Sequence, residues 1–205
     1  MTTFTSLPVA LVDDDADVRD ALSLLLRSHG FAVSTYESGE DFLAAPESRS
    51  AGCVILDVRM PAMSGPETFD RLRAAQSERV VVFLSGHGDI PLAVDMVKNG
   101  AFDFLEKPCR EDVLFERIAQ ALAIAQARLG LKETQEAVQS RLARLSARER
   151  EVMDKVLSGK LNKQIADELN ITMRTVEVHR ASVFAKMGVK SALELSRLVA
   201  GQRGE

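Results

Sequence analysis

Five side chains of complementary chemistry lie at the ends of four short apolar runs. They are Asp13, Asp14, Asp57, Ser85 and Lys107. Three carboxylates brought together repel one another unless a cation lies among them. Because only oxygen ligands are present, with no nearby pair of His or Cys, the set favours a hard ion such as Mg²⁺, with Mn²⁺ as the alternative. A carboxylate nucleophile, a divalent metal, an ammonium group and a hydroxyl donor are what an aspartyl phosphoryl group needs. The residue types therefore predict phosphoryl chemistry centred on Asp57.

Asp57 directly follows the apolar, mostly β-branched run 54–56. Such a run is typical of a strand buried on both faces, as in a parallel sheet. In open α/β sheets, ligands and chemistry collect beyond the carboxyl ends of the strands. Taken alone, the stretch fits a helix-capping or turn aspartate equally well, so the other four side chains decide between these interpretations.

Strand and helix patterns alternate over the first 125 or so residues. The predicted strands are 9–12, 31–35, 53–56, 80–84 and 102–105, and the predicted helices are 17–29, 40–45, 66–75, 91–99 and one from 111. Five strands that alternate with five helices predict an α/β fold, a doubly wound, flavodoxin-like parallel sheet covered on both faces. That fold brings the strand ends, and with them the five side chains, to one edge.

Composition and charge limit the classes of protein. With 205 residues the chain is long enough for two modest domains, and 46% hydrophobic with 27% charged residues is typical of a soluble protein. No apolar run is long enough to cross a membrane and no signal peptide pattern is present, so we expect a cytoplasmic protein without a membrane partner. Cys53 and Cys109 lack metal-site spacing and are interpreted as packed apolar residues.

The charge is unevenly distributed along the chain. Residues 1–130 have 12 Lys and Arg against 20 Asp and Glu, a net charge of −8, whereas residues 131–205 have 14 against 10, a net charge of +4. An acidic first part fits a metal or phosphoryl site, and a basic second part fits a polyanion partner, although a solvated charge pattern would look the same.

The segment between the two parts is predicted to be helical. Helical periodicity continues from Glu111 to about Leu145 and is interrupted at Gly130, which permits a bend or a break, and the sequence does not decide whether the helix is continuous there. We divide the chain into domain 1–128, a helical linker 129–144 and an all-α domain 145–205. The linker either pairs with itself in a dimer or packs against a domain.

The second domain carries the pattern of four helices with a helix-turn-helix. The predicted N-caps are Ser146, Asn162, Thr172 and Ser191. Two short helices joined by a tight turn place the second one, 173–187, as a recognition helix. We predict that double-stranded DNA binds there.

A helical projection of 173–187 separates an apolar face from a small polar one. The predicted DNA-contact residues are Lys163, Arg174, Thr175, Glu177, Val178, Ala181, Ser182 and Lys186. Among these, Lys163, Thr175 and Lys186 are expected to contact phosphates. Glu177 either accepts a hydrogen bond from a cytosine amino group or pairs with a neighbouring charge. Arg180 points towards the core side and is predicted to pair with Glu149 or Glu151.

The first 125 or so residues resemble a two-component response regulator receiver domain. The resemblance rests on four motifs: Val12-Asp13-Asp14, Leu56-Asp57-Val58-Arg59-Met60-Pro61, Ser85-Gly86-His87-Gly88-Asp89 and Glu106-Lys107-Pro108. It implies that Asp57 accepts a phosphoryl group from a sensor histidine kinase. It also implies that Mg²⁺ is bound by Asp57, directly by Asp14, largely through water by Asp13, and by the backbone carbonyl of Arg59.

The same resemblance implies roles for three residues of the last two strands. Lys107 would pair with the phosphoaspartate, and Ser85, where relatives often have Thr, would move to donate to a phosphoryl oxygen. Phe104 would follow that movement as a switch, or it is a plain core residue. His87 is either a phosphoryl relay or, as we prefer, a polar loop residue.

The second domain resembles the LuxR/NarL-type helix-turn-helix, and the whole chain resembles the FixJ branch of response regulators. The resemblance rests on residues 145–149, Gly159, 162–166, 174–180 and 186–187. It implies a transcription regulator that binds promoter DNA, forms a homodimer on phosphorylation and has RNA polymerase as a further partner. Its only catalysis would be self-phosphorylation and self-dephosphorylation.

Two other classes compete with this interpretation. A haloacid-dehalogenase-like phosphatase also uses a strand-end Asp with Mg²⁺, but it needs a second carboxylate two residues later, where this chain has Arg59. An adaptor whose helix-turn-helix binds protein is disfavoured by the basic charge of residues 131–205, and salt-dependent binding to random duplex would discriminate.

Overall fold

A computed structural model describes residues 7–86 and 90–200, and its backbone contacts divide the chain into two compact units, 1–130 and 131–205. The first unit contains a five-stranded sheet. Its strands are β1 (Val9–Val12), β2 (Val33–Tyr36), β3 (Gly52–Asp57), β4 (Arg79–Ser85) and β5 (Asp103–Glu106). All neighbouring pairs are parallel, in the order β2-β1-β3-β4-β5. The predicted fold is confirmed.

The strand order places the carboxyl end of β3 between those of β1 and β4. Asp57 pairs with Leu84 in the register of β3 and β4, and Val12 pairs with Leu56 in that of β1 and β3. Since β1, β3 and β4 are buried along their whole length, their apolar side chains fill both layers of the core. The polar residues that follow them therefore meet at one edge of the sheet.

Helices cover both faces of this sheet. They are α1 (Ala16–Ser28), α2 (Gly39–Ala44), α3 (Gly65–Ala74) and α4 (Ile90–Lys98), with the first part of α5 (Glu111–Ala143). One core layer contains Leu26, Ile55 and Ile118, and the other contains Phe42, Leu56 and Phe83. A short 3₁₀ helix, Pro46–Arg49, was not predicted.

A buried guanidinium holds the opposite, amino-terminal edge of the sheet. Arg79 is 5% exposed and donates to the carbonyl oxygens of Pro8 (3.0 Å), Glu47 (2.7 and 3.0 Å) and Cys53 (3.2 Å). A Cβ at residue 52 would lie 2.5 Å from its Nη1 atom, so Gly52 leaves the room that this contact needs. Arg79 thereby links the residue before β1, the 3₁₀ helix and β3.

The second unit is helical, as predicted. It contains α6 (Ala147–Leu157), α7 (Asn162–Leu169), α8 (Met173–Met187) and α9 (Ala192–Ala200), together with the end of α5. Ser146 and Thr172 are N-caps, as predicted. The predicted cap at Asn162 is wrong, because the cap position is Leu161, whose backbone N–H donates to the Gln164 side chain at 2.9 Å.

None of the helices described is long and apolar enough to cross a membrane.

Candidate functional site

The sheet edge that follows β1, β3 and β5 joins two buried carboxylates through one ammonium group. Lys107 Nζ lies 2.6 Å from Asp13 Oδ2 and 2.6 Å from Asp57 Oδ1. Asp13 is 2% exposed and Asp57 is 7% exposed. Lys107 is half-buried and directly follows β5, and the parallel sheet brings it to Asp57, which lies 50 residues earlier in the chain. The predicted convergence of Asp13, Asp57 and Lys107 is confirmed.

Ser85 lies at the same edge, at the end of β4. Its residue is 2% exposed, and its carbonyl oxygen accepts a hydrogen bond of 2.6 Å from the Lys107 backbone N–H. That bond fixes the start of the segment after β5 against β4. Ser85 therefore lies next to Lys107, whose ammonium group joins Asp13 and Asp57.

Backbone N–H groups orient both carboxylates. The N–H of Arg59 donates to Asp57 Oδ2 at 2.6 Å, and the N–H of Asp15 donates to Asp13 Oδ1 at 3.0 Å. The loop after β3 folds tightly, since a Cβ at residue 65 would lie 2.1 Å from the carbonyl oxygen of Asp57. Glycine at position 65 is therefore required for α3 to begin directly behind Asp57.

Burial and the Lys107 cation act in opposite directions on the pKa of Asp57, and burial has the larger effect. Burial raises the pKa of Asp57, and Asp13 adds to the rise, whereas the hydrogen bonds and charge of Lys107 oppose it. Burial would lower the pKa of Lys107, but its hydrogen bonds to Asp13 and Asp57 outweigh this and raise the pKa. A desolvated carboxylate beside a cation is a suitable nucleophile.

The remaining predicted residues of the first unit lie around this pair. Asp14 and Arg59 are exposed. Phe104 is half-buried, and its ring centroid lies 6.1 Å from that of Phe83. His87 lies outside the described residues.

The donor set at this edge consists of oxygen atoms, which suit a hard divalent cation. Asp13, Asp57 and Lys107 together carry a net charge of −1, and the exposed Asp14 adds another negative charge beside Asp13. Within residues 7–86 and 90–200 no three His, Cys, Asp or Glu side chains form a ready-made metal group. The oxygen donors and the net negative charge nevertheless fit Mg²⁺. In this structure, Lys107 pairs with two of the carboxylates, Asp13 and Asp57.

The exposed side of α8 has the small, polar character that was predicted. Arg174, Glu177, Val178 and Ala181 are exposed, Val178 to 62%. The opposite side is core: Val176, Val183 and Met187 are at most 1% exposed. Helix α8 therefore offers a polar surface on a firmly packed helix.

The other predicted contact residues lie at the ends of α7 and α8. Lys163 is exposed in the first turn of α7. The hydroxyl of Thr175 lies 2.8 Å from that of Thr172, the N-cap of α8. Lys186 and Ser182 instead contact Glu149, a buried carboxylate of α6.

Glu149 connects α6 to the recognition helix, but through Ser182 and Lys186 and not through Arg180, the partner that was predicted. Its carboxylate accepts hydrogen bonds from Lys186 Nζ (2.7 and 2.8 Å), Ser182 Oγ (2.6 Å) and the Ser146 backbone N–H (2.7 Å). These donors, with Lys186 first, lower the pKa of Glu149 to about 2. The capping pattern alone signalled the bond to Ser146, whereas the bonds to α8 depend on packing across 33 and 37 residues.

The predicted pairing of Arg180 with Glu149 or Glu151 is wrong. The Arg180 guanidinium carbon lies 5.6 Å from the centroid of the Phe184 ring, one turn along the same helix. Glu151 pairs with Arg148, three residues before it on α6. An aromatic face close by on its own helix provides Arg180 with a partner.

Comparison with known families agrees with both units. Residues 9–119 match the family described as "Response regulator receiver domain", and residues 143–199 match "Bacterial regulatory proteins, luxR family". The chain belongs to the two-component response regulators, as a receiver domain followed by a LuxR-type DNA-binding domain, and is a transcription regulator.

Relatives similar to this chain span almost its whole length. The C4-dicarboxylate transport transcriptional regulatory protein DctR of Rhodobacter capsulatus is 48% identical, covering 94% of this chain and 99% of its own. The transcriptional regulatory protein FixJ of Bradyrhizobium diazoefficiens is 44% identical, covering 93% of each. The solved structure of the response regulator StyR is 40% identical with a TM-score of 0.89, covering 96% of this chain and 99% of StyR.

Proposed function

We propose that Asp57 is the phosphoacceptor of this regulator and receives its phosphoryl group from a sensor histidine kinase. The main support for this proposal is that Lys107 Nζ lies 2.6 Å from both Asp13 Oδ2 and Asp57 Oδ1. A carboxylate oxygen of Asp57 attacks the phosphorus, and the donor leaves with the electron pair of the broken bond. Lys107 is proposed to neutralise charge on the incoming group, and the hydroxyl of Ser85 is proposed to donate a hydrogen bond to it.

A divalent cation belongs to the proposal. Asp13, Asp14, Asp57 and the backbone carbonyl of Arg59 would hold Mg²⁺, and the ion would neutralise charge on the transferred group. The chain's own residues do the positioning. The N–H of Arg59 holds Asp57 Oδ2, while the N–H of Asp15 holds Asp13 Oδ1. Self-phosphorylation from small donors and self-dephosphorylation are proposed to take place at this same site.

The DNA interface is proposed to be the exposed side of α8 with the first turn of α7. Arg174, Glu177, Val178 and Ala181 would face base edges, and Lys163 and Thr175 would contact phosphates. Because Ser182 and Lys186 already bond to Glu149, their proposed contribution is at the margin of the interface. One such helix per chain reads few bases, so two chains on paired half-sites are the proposed binding unit.

The dimer that phosphorylation favours is proposed to use α4. Ile90, Val94 and Val97 are 74%, 47% and 44% exposed, and their spacing places them on one side of the helix. An apolar stripe of this kind is a candidate for contact with a second copy of the chain. Phe104, on the neighbouring β5, is proposed to link the state of Ser85 to this face.

The experiment that tests the function selects bound fragments from random duplex DNA, with and without acetyl phosphate and Mg²⁺. Wild-type protein is expected to select a repeated half-site, and acetyl phosphate is expected to increase both dimer formation and affinity. Asp57→Asn removes the nucleophile while keeping the shape. If that variant responded to acetyl phosphate as the wild type does, Asp57 would not be the phosphoacceptor.

A further inference from the structure

The end of α5 is packed into the second unit. Val138 is 3% exposed and belongs to the helical core, Leu142 packs against the same core, and Leu145 is 5% exposed. Residues 138, 141 and 142 lie on one face of α5, and Leu145 follows two residues after the helix ends. The predicted linker 129–144 therefore presents one face, in its last two turns, to the DNA-binding domain.

Arg141 lies on that face and holds the carboxyl end of α8. Its Nη1 donates to the carbonyl oxygen of Met187, the last residue of α8, at 2.8 Å. The last carbonyl groups of a helix have no partner within the helix and favour a nearby cation. Gly188 follows with φ of +69°, and a Cβ there would lie 3.0 Å from Arg141 Nη1. Glycine thus permits both the turn and the approach of the guanidinium.

The same turn of α8 is held by a second element. Glu149 of α6 accepts hydrogen bonds from Ser182 and Lys186. Arg141 of α5 and Glu149 of α6 therefore hold the last turn of the recognition helix, through Met187 and Lys186 respectively. Neither Arg141 nor Glu149 belongs to α8, and neither is among the residues proposed to contact DNA.

We propose that Arg141 is a positioning residue for sequence-specific DNA binding, and that through it the linker helix sets the position of α8. The inference rests on the proposed function of α8. Base readout requires side chains to stand within hydrogen-bond reach of base edges, whereas contact with phosphates tolerates small shifts. Loss of the Arg141 bond therefore weakens specific binding more than non-specific binding. Rotation of α5 at residues 138–142 would also break the Arg141 bond and weaken specific DNA binding. This end of the helix could therefore control DNA binding.

The experiment compares Arg141→Gln with Arg144→Gln in the full-length protein. Arg144 is exposed and directly follows α5, so its variant loses the same charge without the α8 contact. The probes are a duplex selected from the random library by wild-type protein treated with acetyl phosphate, and a scrambled duplex of the same length. Arg141→Gln is expected to lower affinity for the selected duplex about tenfold, near the lower end of what one charged hydrogen bond contributes, and for the scrambled duplex less than about twofold. Arg141→Lys should restore part of the loss, because an ammonium group also donates to a carbonyl at a helix end.

The ratio of the two affinities separates positioning from simple stability. A variant that merely unfolds in part binds both duplexes more weakly by one common factor, so its ratio stays at the wild-type value. An unchanged ratio in Arg141→Gln, or equal losses in both Arg variants, would overturn the inference and leave the proposed function standing. If the wild type selected no sequence at all, the proposed function itself would fail and the inference with it.

Discussion

The bridge between the two buried carboxylates gives the sharpest prediction, for Lys107→Met. Lys107 Nζ is the cation that both Asp13 and Asp57 contact at 2.6 Å. The methionine side chain has similar length and no charge, so the substitution leaves two buried carboxylates beside one another without compensation. We expect the folded state to lose stability at neutral pH.

The magnitude follows from burial. Removing one partner of a fully buried pair costs about 3–5 kcal/mol. The two carboxylate side chains are 3% and 9% exposed, while that of Lys107 is 23% exposed and partly hydrated. We therefore expect a loss of about 2–3 kcal/mol in the free energy of unfolding. The matched control is Lys98→Met, an exposed lysine of α4 that loses the same charge.

The pH dependence gives the prediction a second readout. Burial raises the pKa of Asp57, and Lys107 opposes that rise. Without Lys107 the pKa rises further. Over the range between its ordinary value and the raised value, the folded protein binds more protons than the unfolded chain, so stability falls as pH rises. The loss in Lys107→Met should therefore shrink as the pH is lowered through that range.

The assay is urea unfolding at pH 7 and at acidic pH, in low-metal buffer. Asp57→Asn combined with Lys107→Met should recover much of the loss, because one of the two unpaired charges is gone. If the unfolding free energies of Lys107→Met and Lys98→Met at pH 7 differed by less than about 0.5 kcal/mol, a difference typical of surface substitutions, Lys107 would not compensate the two carboxylates.

Three further predictions concern other parts of the molecule. Arg79→Gln leaves buried carbonyl groups without their charged donor, so urea unfolding should show a loss of about 3 kcal/mol, against little change in the exposed Arg71→Gln; equal stabilities would contradict the role of Arg79. The pKa of Glu149 is lowered from its ordinary value of 4.5 to about 2, so its contribution to stability is present above pH 4.5 and is lost as the pH falls towards 2. Thermal melts of Glu149→Gln should lack that part of the acid loss, and a wild-type acid profile in the variant would count against the pairing. Val94→Asp charges the exposed stripe of α4, so sedimentation of protein treated with acetyl phosphate should show a dimer weakened at least about tenfold with monomer stability unchanged; an intact dimer would place the interface elsewhere.

The sheet and its carboxyl edge were predictable because strand runs, turn residues and alternation carry that information locally. Once β1, β3 and β5 are parallel strands of one sheet, Asp13, Asp57 and Lys107 lie at its carboxyl edge, because each stands at or just beyond the end of its strand. What the sequence did not reveal is that Lys107 bridges the two carboxylates in this structure, since that depends on side-chain distances.

Contacts between distant helices were harder to predict. The capping pattern identified Glu149 as the partner of Ser146, but helical projection assigned it Arg180, because a projection shows the side of a helix and not which neighbouring helix lies there. Lys186, predicted to face phosphates, bonds to Glu149 instead. The contact of Arg141 with Met187 joins two helices 46 residues apart and has no local signal.

The most direct test of the central claim is chemical mapping of the acyl phosphate. Protein treated with acetyl phosphate and Mg²⁺ is reduced with borohydride, which converts a phosphoaspartyl residue to homoserine, and the modified peptide is sequenced by mass spectrometry. Conversion is expected at Asp57, and it should be lost when Mg²⁺ is chelated and be absent from Asp57→Asn. Conversion at Asp13 or Asp14 in the wild-type protein, or none at Asp57, would contradict the central claim.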